Sequence, residues 1–119
     1  MKNNKIFRHN LYKSILLPRL IEEKMLKLLR QGKISKWFSG IGQEAISVGA
    51  TNALKPNDTI FTMHRNLGVF TSRNIELENL FGQIIGTTIG FTKGRDRSFH
   101  FGAPEYHIIG MISHLAAML

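Results

Sequence analysis

Between residues 11 and 31 the sequence LYKSILLPRLIEEKMLKLLRQ places Leu17, Leu20, Ile21, Met25, Leu28 and Leu29 at steps of three and four residues. On a helix these side chains share one face, so the segment needs an apolar surface to pack against. Gly32 follows the last periodic residue and predicts the stop, because glycine enters left-handed backbone without a steric penalty. Pro18 lies inside the pattern, where it removes one donor and predicts a kink or the first turn of a second helix. A chain of 119 residues with an apolar share of 43% is one domain's worth at most, with enough apolar surface for a core.

The stretch 34–41 is irregular and carries the single tryptophan, Trp37, beside Phe38. A second helix is predicted from about residue 42 to 54. Its Ala45, Gly49 and Ala53 form a seam of small residues, which suits a buried helix closely approached by another backbone. Lys55-Pro56-Asn57-Asp58 is a turn, TIFTM (59–63) a short strand, and 76–85 a third helix with Asn74 as its cap. Glycines at 82, 86, 90, 94 and 102 make much of the following segment loop. HIIGMISHLAAML (107–119) begins as a strand and turns into a helix near Ser113. It stops in an apolar run without a cap or polar tail, as expected for a piece of a longer protein.

The net charge is +8, and its distribution matters more than its size. Residues 1–36 hold ten lysines and arginines against Glu22 and Glu23, whereas residues 37–119 hold six of each sign. The excess therefore belongs to one leading helical segment, and a solvated helix face accounts for it. No aromatic residues interleave with these cations as a stacking platform for single strands requires, so no nucleic-acid partner is expected. No apolar run has the length of a bilayer span, and no membrane partner is expected either. Cysteine is absent, so disulfide and thiolate chemistry are excluded; a cytoplasmic location is expected.

Few residues are arranged for chemistry. The five histidines lack metal-ligand spacing, and the two aspartates, Asp58 and Asp96, make no carboxylate cage, so no metal site is expected within the chain. No nucleophile elbow, Walker loop or complete dinucleotide fingerprint is present. What remains is the predicted strand ending at Met63 and running into His64-Arg65-Asn66. An arginine fork and an imidazole leaving a strand end suit a phosphate; a loop arginine paired with a nearby glutamate fits the same residues. Glu44 complements the dipole of the second helix and caps backbone donors there. Ser113 suits an N-cap, and Leu115 a core position. The stretch TKGRDRSFHFG (92–102) gathers Lys93, Arg95, Arg97 and His100 between glycines, in a half of the chain that is neutral.

Taken in order, EEKMLKLLRQGKIS, GQEAISVGATNAL, IFTMHRNLG, LFGQIIGTTIGFTKGRDRSFHFG and MISHL resemble the start of the alpha subunit of the decarboxylating component of 2-oxo acid dehydrogenase complexes. The resemblance covers residues 11–119. The interval SKWFSGI and the run GRDRSFHFGAPEYHIIGMISHL are most similar to the branched-chain (2-oxoisovalerate) type, with pyruvate- and acetoin-type subunits as alternatives. It implies an α/β fold, a parallel sheet flanked by helices that binds thiamine diphosphate. The chain would supply an incomplete, mostly helical N-terminal part of that domain, with 1–36 as its basic leading segment.

On matching residues, the resemblance implies that His64 and Arg65 reach the cofactor's diphosphate, His64 standing where the family usually has tyrosine. It implies that the backbone at Ser113 and Leu115 meets the aminopyrimidine ring, and that Leu115 also wedges the cofactor into its bent shape. Met118 stands where glutamine is usual. The magnesium ligands of the family would lie beyond Leu119. The implied partners are a beta subunit or fused beta half, a lipoyl-bearing acyltransferase component and the 2-oxo acid. The 119 residues alone are then expected to be inactive. Arg95, Arg97 and His100 are expected to frame the site or a subunit contact. Two other readings of the chain are a basic nucleic-acid-binding module and a non-catalytic assembly remnant.

Overall fold

The computed structural model describes residues 2–96 and 100–110. The first helix, α1, runs from Lys2 to Arg30, beginning nine residues before the start predicted at Leu11. Pro18 is accommodated inside one continuous helix and buried. Its ring contributes packing area on the covered face, while the missing N–H costs one bond of the ladder. The stop is as predicted. Gly32 has φ +69°, Gly32 N donates to Leu29 O at 3.0 Å, and Lys33 N donates to Leu28 O at 3.0 Å. These paired bonds close the last turn in a Schellman arrangement.

Helix α2 spans Glu44–Ala53, and the turn after it closes through Asp58 N to Lys55 O at 3.0 Å. Strand β1 is only Ile60–Phe61, two residues rather than the predicted five. A short helix, α3 (Leu67–Ser72), follows where none was predicted. Helix α4 covers Leu77–Ile85. Asn74 is not its cap: that residue has φ +54° in the preceding turn, and Glu76 occupies the cap position without a side-chain bond. Gly86, in left-handed backbone, ends α4 and opens the glycine-rich connection. A 3₁₀ turn at Pro104–Tyr106 leads into β2 (Ile108–Ile109), which pairs parallel to β1 with Ile60 opposite Ile108 and Phe61 opposite Ile109. The described chain is thus mostly helical, with one small parallel pair.

The core is formed by Met25 of α1, Leu67 and Phe70 of α3, Leu80 of α4, and Phe101 and Ile108. Phe101 is sandwiched, with ring centroids 4.6 Å from Phe70 and 5.4 Å from Phe91. That stacking holds the glycine-rich connection against α3. Helix α2 buries Glu44, Ser47, Val48 and Thr51, not the predicted small-residue seam. Ala45, Gly49 and Ala53 are exposed. The close backbone approach uses a glycine on the other helix instead. A Cβ on Gly68 of α3 would collide with Ser47 Oγ and lie 3.0 Å from Val48 Cγ2. Among the described residues, no helix is long and apolar enough to cross a membrane.

Two glycine substitutions should move stability in opposite directions. A Cβ on Gly90 would stand 2.6 Å from Gln83 Cα, so Gly90→Ala should destabilise by about 1–3 kcal/mol through overpacking. A Cβ on Gly49 meets nothing within 4 Å, so Gly49→Ala should stabilise by about 0.4–1 kcal/mol by restricting the unfolded chain. Urea denaturation measures both. A neutral Gly90→Ala or a destabilised Gly49→Ala contradicts this packing.

Candidate functional site

The connection between β1 and α3 is short and tightly fixed. Thr62 N still donates to Ile109 O at 3.0 Å, extending the pairing one residue past β1. Asn66 then closes the turn, its Oδ1 accepting from Met63 N at 2.9 Å and its N donating to Met63 O at 3.1 Å. His64 and Arg65 lie inside this turn, between a strand end and a helix start. The strand ends at Phe61, earlier than predicted, but both residues still leave the sheet on the side where open α/β sheets bind ligands.

The two side chains meet at Phe38. The His64 ring lies 4.6 Å from the Phe38 ring, tilted by 60°, and the Arg65 guanidinium carbon lies 5.4 Å from the same centroid. Lys36 Nζ is 5.2 Å from it. Arg65 Nη1 donates to Ser39 O at 2.6 Å. The predicted alternative, an arginine paired with a glutamate, describes a different residue: the ion pair among the described residues joins Arg19 to Glu44 at 2.5 Å. Arg65 is exposed, and one of its five N–H donors is given to Ser39. His64 is half-buried beside a cavity of about 20 Å³. Trp37, Phe70, Leu80 and Phe101 share that lining.

Burial, and then the Arg65 charge, lower the pKa of His64 below its usual 6.5. The imidazole is therefore neutral near pH 7, able to donate one hydrogen bond but contributing no charge. The cationic groups are Arg65 and Lys36, both near one aromatic face. An exposed guanidinium fork beside a neutral donor and a second cation is a donor set that fits a phosphate. No group of three histidine, cysteine or acidic side chains able to hold a metal occurs among the described residues.

The platform under this turn was not foreseen in the sequence. Glu22 of α1 is 1% exposed. Its Oε2 accepts from Trp37 Nε1 at 2.6 Å and its Oε1 from Gly40 N at 3.0 Å. A Cβ on Gly40 would collide with the Arg65 carbonyl oxygen, so glycine there lets the 37–40 loop press on the 63–66 turn. Glu44 takes Arg19 Nε at 2.5 Å, Arg19 Nη2 at 3.1 Å and Gly42 N at 2.8 Å. The backbone donor it satisfies, Gly42 N, precedes the N-cap residue Gln43 and is not one of the open donors of α2, and the hydrogen-bonded Arg19 chiefly lowers its pKa. Two signals for this platform stood in the sequence. Glu22 falls among the apolar positions of α1, and a lone tryptophan needs an acceptor for its indole N–H.

Of the other expected site residues, Ser113 and Leu115 lie outside the described residues, as do Arg97 and Met118. Arg95 is exposed and His100 half-buried. The stretch 92–102 reaches the site through Phe101, which shares the small cavity with His64.

The family model of the dehydrogenase E1 component matches residues 12–118. The chain is 33% identical to the mitochondrial 2-oxoisovalerate dehydrogenase subunit alpha of Homo sapiens over 109 residues, which is 92% of this chain and 24% of that protein. It is 31% identical to the Caenorhabditis elegans protein of the same name, again over 92% of this chain and 25% of the relative. For the Arabidopsis thaliana subunit alpha 1 the figures are 28%, 92% and 23%. The chain thus spans about a quarter of the length of these relatives.

The site's titrations should appear as two separate slopes in stability against pH. His64 has a lowered folded pKa, so the unfolded state binds more protons below about 6.5 and stability falls as pH drops through that value. Glu44 also has a lowered folded pKa; its contribution is complete above about 4.5 and is lost as pH falls through the folded value. Melting temperatures from pH 8 to about 3 should show His64→Gln flattening the upper slope only and Glu44→Gln the lower slope only. Unchanged slopes in these variants contradict the assignments.

Proposed function

The chain belongs to the dehydrogenase E1 component family, and from that premise we propose that it forms the diphosphate-contacting wall of a thiamine diphosphate site. The enzyme would be a 2-oxo acid dehydrogenase component of the branched-chain, 2-oxoisovalerate-accepting type. The observation that carries the proposal is the exposed Arg65 guanidinium, held at the β1–α3 turn by Ser39 O and Phe38. Similarity to subunits named for 2-oxoisovalerate supports the substrate class.

When bound, thiamine diphosphate supplies the carbanion that adds to the 2-oxo carbon and the electron sink that lets carbon dioxide leave. The protein's part on this wall is binding and orientation. Arg65 offers the diphosphate a charge-assisted bond, and neutral His64 can donate one more without adding charge. Leu115 and the backbone at Ser113 are proposed to hold the pyrimidine end. Magnesium is proposed to be held by residues beyond Leu119. A beta subunit or fused beta half completes the site, and a lipoyl-bearing acyltransferase receives the acyl unit.

Two outcomes test this. Calorimetry of the 119-residue chain with thiamine diphosphate and magnesium should show binding weaker than micromolar and no turnover; micromolar affinity contradicts the division of labour. In an alpha–beta assembly, Arg65→Ala should raise the cofactor concentration needed for half-activity about 10- to 100-fold, as expected for losing a hydrogen bond from a charged donor. An unchanged cofactor titration rules out Arg65 as a phosphate contact.

A further inference from the structure

Resting on the diphosphate reading of the 63–66 turn, we infer that Glu22, whose two carboxylate oxygens are both taken up by protein donors, is the positioning residue that makes Arg65 ready to bind. Arg65 is seated by two groups of the 37–40 loop, the carbonyl of Ser39 and the ring of Phe38. The residues flanking that pair, Trp37 and Gly40, are the two whose N–H groups donate to Glu22. One buried carboxylate therefore pins both ends of the seat, one oxygen to each end. Gly40 completes the joint, since any side chain there would push the loop off the Arg65 backbone.

An arginine on a long exposed stem loses rotamer freedom when it binds an anion. A seat that holds it beforehand removes part of that cost, which strengthens binding without changing any later chemical step. The residue is thus expected to act on affinity and not on turnover at saturating cofactor. Glu22→Gln should break half of the clamp, because the amide nitrogen cannot accept from an N–H. Gly40→Ala attacks the same joint from the loop side and leaves the carboxylate intact. Phe38→Leu removes the aromatic seat and touches neither.

The test is an NMR titration of the ¹⁵N-labelled chain with inorganic pyrophosphate, following the Arg65 Nε–H and the Trp37 indole N–H. In the wild type both signals should shift together, since the indole reports the clamp and the guanidinium the ligand. Glu22→Gln, Gly40→Ala and Phe38→Leu should each weaken pyrophosphate binding about 2- to 12-fold, the equivalent of re-ordering one long side chain. Ile84→Val, a core truncation in α4, should keep wild-type affinity despite its lower melting temperature. Wild-type affinity in the three seat variants overturns the inference, and so does an equal weakening by Ile84→Val. If pyrophosphate leaves the wild-type Arg65 signal unmoved, or binds Arg65→Ala as well as wild type, the diphosphate reading itself fails.

Discussion

A carboxylate buried at 1% exposure on the inner face of the first helix is the constraint on which this structure turns. Removing such a group from water costs several kcal/mol unless donors replace its hydration. Glu22 recovers its partners from the indole of Trp37 and the amide of Gly40. Neither donor can move without leaving the carboxylate unsatisfied, so an irregular loop acquires a fixed position. Three residues earlier on the same helix, Arg19 reaches Glu44, whose other oxygen contact is Gly42 N. Helix α1 is therefore more than a core-covering rod: one turn of it ties the loop down at 37, 40 and 42.

That fixed loop explains the electrostatics of the neighbouring turn. Phe38 is brought against His64, Arg65 and Lys36 at once. Burial against this surface keeps the imidazole neutral, while Arg65 stays exposed and charged. The two neighbours therefore differ in charge, a cation on one residue and a neutral imidazole on the next. Most of the chain's charge excess lies along α1, and Lys36, which belongs to that excess, stands at this turn beyond the end of the helix.

What the sequence disclosed, and what it hid, follows from the range of each interaction. The Gly32 stop and the 55–58 turn were legible because glycine and proline–asparagine chemistry acts within a few residues. Helix α3 was not, because Gly68, Val69 and Thr71 are weak helix formers; packing against α1 and α2 makes the helix. The small residues of α2 were assigned to the wrong face for a similar reason. Close approach needs one glycine between two helices, and Gly68 of α3 supplies it. His64 and Arg65 were singled out from their place after a strand, and the strand itself is shorter than predicted. The clamp that seats them joins residues 15 and 18 positions apart, which no local pattern encodes.

The most direct measurement of this account is hydrogen exchange at the two donors to Glu22. The Gly40 amide and the Trp37 indole N–H should both be strongly protected in the wild-type chain, and one of the two should lose protection in Glu22→Gln, which keeps a single accepting oxygen, while the core amides of α4 do not. Exchange of these two groups at the rate of exposed amides, or protection that survives Glu22→Gln unchanged, would show that the loop is held by something other than the buried carboxylate.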